Sequence, residues 1–392
     1  MQLRSCGNAL GGVMAKDPSR DAYLQIIENQ ALVDGRFSRI RRLGPTGGNG
    51  CFSLLFSALD NRTNQEVALK FYRPDKLTES YRWESFRREA QILEELGGQP
   101  DIIGWVAPLS SFVETMTSPQ GIQFPIPFSY YALELAVSDV EFAIANAQWT
   151  PTDLLTAFRA MCRGVQRVHN QRVAHRDIKP GNFLLTQGGV RLSDFGTARR
   201  FDMRSQPLLL AYNYPPGDFL YAAPEISAAL HDVDPEYAFG ADFFSLGAIL
   251  FELLSGTKLG HHLANQYLHQ NLFLFAQVPV GRRQATYDNV VSSISNSYPL
   301  PNLGAQGPGV PPCIRDRADE LYRRLAALDY HKRLTDFPTI FRSVDTCLLI
   351  LKYEEKYRRW RKQRDEFRRA RDAKRQLLYA NSVAARQNEV KK

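Results

Sequence analysis

The sequence predicts an α+β chain of two lobes, a small β-rich one followed by a larger, mainly helical one. Three observations carry that prediction. From about Phe37 to Ala136 β-type runs dominate (CFSLLFSAL, EVALKFY, FSYYALELA), with one helical stretch, SYRWESFRREAQILEEL, among them. From about Trp149 the period changes, and Leu154, Leu155, Phe158, Met161, Val165 and Val168 recur at helical spacing. The composition of the 392 residues, 44% hydrophobic and 23% charged, is that of an ordinary globular protein able to bury a sizeable core. A mostly β segment followed by a mostly α segment places a cleft between two lobes.

In chain order, residues 1–35 are mixed and read as an N-terminal extension without strong pattern. Residues 36–136 form the small lobe and its exit strand, and residues 137–348 the large lobe. The large lobe opens with a helix start in TPTD, with Thr150 as N-cap, Pro151 at the first helical position and Asp153 in the first turn. Residues 257–312 are rich in Gly, Pro, Ser and Asn apart from an apolar patch at Leu272–Phe275, and read as an elaborated loop with a helix inside it. Residues 349–392 form a basic tail whose stretch LILKYEEKYRRWRKQRDEFRRARDAKRQLLYA holds no Gly or Pro and reads as helix. Ile350, Tyr353, Tyr357, Trp360 and Phe367 recur there near 3.5 spacing, interrupted by Arg364. A charged helix lying against the lobe, a partner or self-association helix, and a polyanion-binding surface are all compatible with it.

Charge is uneven. From Leu349 onward 15 Lys and Arg stand against 6 Asp and Glu, giving +9, so the remaining 34 basic and 35 acidic residues balance to −1 of the total +8. The basic character belongs to the tail. The longest greasy run, FFSLGAILFELL, has twelve residues and carries Glu252, short of the ~20 that a membrane span needs. The first residues lack a sustained apolar segment, which argues against a secretory signal. Five scattered cysteines (Cys6, Cys51, Cys162, Cys313, Cys347) without CxxC spacing suit reduced thiols and a cytoplasmic location. His261, His262 and His269 lie close together without the Cys or acid spacing of a metal site.

The chemistry concentrates in VAHRDIKPGNFLL, Val173–Leu185. There Asp177, Lys179 and Asn182 share a loop whose Pro-Gly pair argues against helix. An aspartate within reach of a hydroxyl can orient it and accept its proton. A lysine two residues on can neutralise a transferring phosphoryl group, and an amide oxygen can ligate a hard cation. Together these are the parts of phosphoryl transfer. Twelve residues after Asn182 comes LSDFGTA, with Asp194 at the end of a β-like run as a second metal contact. Upstream, Lys70 closes EVALK and Glu89 lies on the amphipathic FRREAQIL, a strand cation and the helix acid that would hold it.

In this joint order and spacing the chain resembles the eukaryotic-type (Hanks-type) protein kinase superfamily, over roughly residues 36–345. LGPTGGNGCFSLLFSALD looks like the phosphate-covering glycine loop, VALK the strand lysine, HRDIKPGN the catalytic loop and SDFG the metal-binding turn. YAAPE resembles the end of the activation segment, ADFFSLGAILFELLSG the central helix anchored by Asp242, and Arg333 the partner of Glu225. The resemblance implies a bilobal protein-kinase fold and an ATP- and Mg²⁺-dependent kinase, of the Ser/Thr branch, that autophosphorylates. Asp177 is then the base, Lys179 and Lys70 contact phosphates, Glu89 holds Lys70, and Asn182 and Asp194 bind Mg²⁺. Leu133 backs the adenine pocket, Glu134 to Ala136 supply hinge backbone groups, and Leu55, Ala68 and Leu184 sandwich the purine. Gly48 and Gly50 cover the phosphates. The compact chain and irregular glycine loop suit a soluble bacterial member acting on a protein substrate. The alternative is a pseudokinase scaffold, whose usual mark, a missing Lys, Asp or Asn, is absent here.

Two departures and one regulatory feature stand out. Ser53 takes the place of a third glycine. Asp218 stands where the Ser/Thr branch usually has a threonine; its carboxylate is expected beside Lys179 and Asp177, where like charges raise at least one pKa. Arg176, before the catalytic aspartate, is in such kinases the receptor of an activation-loop phosphate. Thr197, Ser205, Tyr212 and Tyr214 are the candidates, against a loop held by its own Leu208 to Leu210.

Overall fold

The β-type runs of the first third pair into one six-stranded sheet. Its strands are β1 (Leu32–Val33), β2 (Phe37–Arg42), β3 (Ser53–Asp60), β4 (Gln65–Tyr72), β5 (Trp105–Thr117) and β6 (Gln123–Glu134), in the order β1-β2-β3-β4-β6-β5 with antiparallel pairing throughout. The computed structural model describes residues 18–44, 53–76, 80–117, 121–146, 148–201, 217–230, 235–265, 268–305 and 309–390. Period-two alternation divides the sheet's faces. Leu54, Phe56, Leu69, Phe71, Phe128 and Tyr130 face one side, in a core closed by Leu24 and Ile27 of helix α1 (Pro18–Glu28). Against the other side packs α2 (Ser80–Glu95), whose Phe86, Ala90 and Leu93 meet Tyr72 and Tyr131.

Residues 18–33, which show no pattern as a sequence, are thus part of the small lobe. Only Leu24 and Ile27 are fully buried on α1, too few repeats to register as a period. Such a short helix is held by its packing rather than its propensity.

At the end of β3, Asp60 is fully buried and accepts both guanidinium donors of Arg36, at 2.9 and 2.7 Å, besides the Arg62 N–H and the Thr63 hydroxyl. Arg36 holds this carboxyl well below the usual carboxylate range. Its stabilisation is therefore full above about pH 4, the unfolded value, and is lost as pH falls through the lower folded pKa. Asp60→Ala is expected to cost about 2–3 kcal/mol at pH 7, less than a fully enclosed pair because Arg36 keeps some contact with solvent. Urea denaturation at pH 7 and pH 3 reads both the deficit and its narrowing in acid.

The large lobe follows the short β7 (Ser138–Asp139) and α3 (Val140–Asn146). Its first long helix, α4 (Pro151–Asn170), begins as the sequence predicts: the Thr150 hydroxyl accepts the Asp153 N–H and the Asp153 carboxylate accepts the Thr150 N–H. The short strands β8 (Val173–Ala174), β9 (Phe183–Thr186), β10 (Gly189–Leu192) and β11 (Arg199–Arg200) cross the cleft floor. Two backbone bonds tie the lobes there, Ile103 N–H to Leu192 C=O and Leu192 N–H to Asp101 C=O.

The remaining helices are α5 (Pro224–Ser227), α6 (Pro235–Ser255), α7 (Leu259–Asn265), α8 (Leu268–Phe273), α9 (Val280–Ser297), α10 (Arg315–Leu325), α11 (Phe337–Lys352) and α12 (Glu354–Val390). Apart from Asp242 and Glu252, helix α6 is apolar over most of its surface. Tyr237–Ser255, 19 residues of mean hydropathy 1.5, would satisfy the length of a membrane span, yet 89% of it is buried inside the lobe, as a core helix requires. The region 257–312 carries three helices where one was expected. Its prolines fall between the helices, and α9, free of Pro, buries Tyr287 and Val291 one turn apart.

Candidate active site

The β3–β4 register sets Leu55 opposite Lys70, and β4–β6 pairing sets Ala68 opposite Leu133. Lys70 therefore projects from the sheet toward α2, where its Nζ lies 2.8 Å from both Glu89 carboxylate oxygens and 3.4 Å from Asp194 Oδ1. Burial alone would lower the Lys70 pKa, but Asp194 and Glu89 outweigh it and raise it, so the ammonium persists. Lys70 in turn holds the Asp194 carboxyl below its ordinary value.

The loop between β8 and β9 is hung from one carboxylate. Asp242 of α6, fully buried, accepts the His175 and Arg176 N–H groups at 2.8 Å each and faces His169 Nε2 at 2.8 Å. Those bonds hold Arg176 in the left-handed region (φ +66°), an uncommon conformation for a bulky residue. The Arg176 Nε donates to the Thr197 carbonyl at 2.7 Å, so the arginine braces the start of the following segment.

Asp177, Lys179 and Asn182 converge. Asp177 Oδ2 accepts Lys179 Nζ at 2.9 Å and Asn182 Nδ2 at 3.1 Å, and Asn182 Nδ2 also reaches the Asp177 carbonyl at 2.7 Å. The Pro-Gly pair forms a single 3₁₀ turn, Pro180–Asn182, and no α-helix. Asp177 Oδ1 accepts the backbone N–H of Asp218 at 2.9 Å. This contact requires Gly217, which sits at φ +89°, and a Cβ there would lie 2.5 Å from the Arg176 carbonyl oxygen.

Asp218 departs from expectation. Its carboxylate caps the Leu220 N–H at 3.0 Å, and among the described residues Lys179 donates to Asp177 instead. The short Asx-type turn is satisfied locally, so the side chain folds back onto its own backbone. Toward Lys179 the Asp218 side chain acts only through its field: burial lowers the Lys179 pKa, and Asp177, Asp194 and Asp218 together outweigh it and raise it.

Asp194 also sits in the left-handed region (φ +62°), with its carboxylate about half exposed to the cleft. Phe195 beside it is buried and meets the His175 ring edge-on at 5.0 Å. The next residue shows a feature that sequence reasoning missed. The Gly196 carbonyl accepts two donors from α2, the Ser85 hydroxyl and Arg88 Nη2, the latter at 2.8 Å. Ser85 lies one turn before Glu89 on the same helix face, and that spacing was the available signal. The latch fixes the Asp194 turn to the helix that holds Lys70. Arg88→Ala is expected to lower kcat about 5–10-fold, the worth of one hydrogen bond, with the fold intact. Steady-state kinetics at saturating nucleotide, with circular dichroism as control, check it.

The predicted purine contacts gather at the strand ends. Ala68 and Leu133 are buried, while Leu55, Leu184, Glu134 and Ala136 are half-buried. Glu134 is partly committed: its N–H donates to the Gly104 carbonyl at 2.8 Å and its carboxylate accepts the Gly104 N–H at 3.2 Å. Gly48 and Gly50, like Ser205, Tyr212, Tyr214 and Leu208 to Leu210, lie outside the described residues. Glu225 and Arg333 are fully buried and paired through both guanidinium nitrogens. The His262 ring packs edge-on against Phe251 at 5.5 Å.

The donor set suits a hard divalent cation. Asn182 spends its amide nitrogen on Asp177, which leaves its Oδ1 and the half-exposed Asp194 carboxylate as oxygen ligands.

The protein kinase domain family matches residues 42–344, a span that includes all these side chains. Among curated relatives, mitogen-activated protein kinase 15 of Mus musculus is 27% identical over 300 residues, covering 74% of this chain and 50% of the relative. Cyclin-dependent kinase 7 of Carassius auratus is 29% identical over 210 residues, 53% of this chain and 55% of the relative. The probable serine/threonine-protein kinase PknB of Bifidobacterium longum is 28% identical over 227 residues, 58% and 31%. The chain thus spans about half the length, or less, of these curated relatives. With its cleft, its suspended loop and a match over most of its length, the chain belongs to the protein kinase domain family.

Proposed function

We propose that the chain is an ATP- and Mg²⁺-dependent protein kinase that transfers the γ-phosphoryl group to a serine or threonine hydroxyl. The observation that carries this reading is the convergence of Asp177, Lys179 and Asn182 in one hydrogen-bonded set, with Lys70 bridging Glu89 and Asp194 across the cleft.

Asp177 orients the acceptor hydroxyl and takes its proton as the oxygen–phosphorus bond forms. The bond from the γ-phosphorus to the β–γ bridging oxygen breaks, and ADP leaves. Lys179 faces the moving phosphoryl group and Lys70 the α- and β-phosphates. Asn182 and Asp194 would hold Mg²⁺, which neutralises phosphate charge when bound. The protein's contribution is positioning and fixed charge, and orientation alone can supply ~7–11 kcal/mol of such a barrier.

Autophosphorylation is expected within residues 202–216. The Thr197 hydroxyl donates to the His175 carbonyl at 3.0 Å, which sets it apart; of the other candidates Ser205 fits a serine- or threonine-directed enzyme, and Tyr212 and Tyr214, being phenols, do not. The pseudokinase reading has no comparable support, since every charged group of the set is present. The buried free thiols of Cys162, Cys313 and Cys347 accord with a reducing, cytoplasmic setting. Transfer of label from ATP to generic protein acceptors, followed by phosphosite mapping, tests the proposal. No transfer under saturating Mg²⁺ and ATP would contradict it.

A further inference from the structure

We propose that α12 is a binding arm for single-stranded nucleic acid. Residues 356–375 hold eleven Lys and Arg against three Asp and Glu. The helix touches the lobe at its base, where Arg361 meets Asp316 at 3.3 Å, and every residue from 366 to 379 is exposed. Four of its six acids are used locally, Glu354 by Arg358, Glu355 by Arg359, Asp365 by Arg364 and Asp372 by Arg371. Lys362, Arg368, Arg369, Lys374 and Arg375 have no acidic partner among the described residues. Large rings reach solvent between these cations: Phe367 and Tyr379 are 73% exposed each, and Trp360 is 50% exposed with the Arg364 guanidinium 4.8 Å from its ring centre.

The arrangement selects among anionic partners. At 3.6 residues per turn, Trp360, Phe367 and Leu378 fall on one stripe, but so do Arg364 and Arg371. A bilayer needs an apolar face free of charge, and a second copy of the helix needs apolar residues at both core positions of each heptad. Neither condition holds. The unpaired cations are spread around the whole circumference, which suits a flexible polyanion that can follow the helix. Exposed rings add what a phosphate chain alone does not use, a surface on which unpaired bases stack; in a duplex those bases are already stacked.

The test is fluorescence anisotropy of the full chain with a labelled single-stranded oligonucleotide, the same sequence as duplex, and sedimentation with phosphatidylserine vesicles. Neutralising four or five phosphates gives a log–log salt slope of about −3, so affinity should fall roughly 60-fold between 50 and 200 mM salt. Combined charge reversal, Arg368→Glu with Arg369→Glu, Lys374→Glu and Arg375→Glu, should abolish binding while kinase activity and helix content persist. Trp360→Ala with Phe367→Ala should weaken single-strand binding about tenfold or more, keep the salt slope and remove the preference over duplex. No binding at 50 mM salt, equal or tighter duplex binding, indifference to the charge reversal, or capture by vesicles in place of the oligonucleotide would overturn the proposal.

Discussion

Asp177→Asn is expected to lower kcat by ~10²–10⁴, the usual worth of a positioned base, while nucleotide affinity stays within about threefold of wild type. The geometry separates the two effects. Asparagine can still accept the Asp218 N–H that Asp177 Oδ1 now takes at 2.9 Å, so the loop keeps its support. The charge facing Lys179 Nζ at 2.9 Å disappears, and with it the acceptor for the hydroxyl proton. The contacts proposed for the nucleotide, through Lys70 and the strand-end pocket, lie elsewhere. A rate assay with labelled ATP paired with a nucleotide titration distinguishes this from misfolding, which would lower both.

Breaking the pair between Glu225 and Arg333 should have the largest effect on stability. Both side chains have no solvent exposure, so Arg333→Ala strands a buried carboxylate. Such losses run to about 3–5 kcal/mol. For a lobe of this size that corresponds to a fall in Tm of about 10 °C. The arginine also bonds the Ala327 carbonyl through Nε and Nη2, so its removal loosens the turn after α10 as well. Glu225 lies in the first turn of α5, shortly after the segment whose Asp218 N–H supports Asp177. Activity should therefore fall together with stability. Arg333→Met combined with Glu225→Leu should be less destabilised than Arg333→Met alone, because no lone charge remains buried. Thermal and urea denaturation of the three variants measure this; a double variant worse than the single would show that the site tolerates no apolar filling.

Much of the site was legible in the sequence because phosphoryl transfer needs several charged groups at fixed separations along the chain. Lys70, Glu89, Asp177, Asn182 and Asp194 are each common residues, and only their order and spacing carry information. The anchors Asp242 and Glu225 with Arg333 were legible through the family resemblance. What stayed hidden depends on contacts without a sequence period. The latch from Ser85 and Arg88 to Gly196 joins residues more than 100 positions apart through a backbone carbonyl. The support that Asp218 gives Asp177 comes from its N–H, while its carboxylate, the part visible in sequence, turns to Leu220. Helix α1 escaped because two buried residues make no pattern, and α9 because the composition of its surroundings masked its own regular spacing.

The central claim is that Asp194 and Asn182 hold a divalent cation against a nucleotide that Lys70 also contacts. Calorimetric titration of a non-hydrolysable ATP analogue, with and without Mg²⁺, tests it most directly in wild type and Asp194→Asn. The account predicts that Mg²⁺ tightens wild-type binding by at least about tenfold, some 1.4 kcal/mol, and that Asp194→Asn erases most of this gain. Equal affinity in the presence and absence of Mg²⁺, or an undiminished Mg²⁺ effect in the variant, would contradict it.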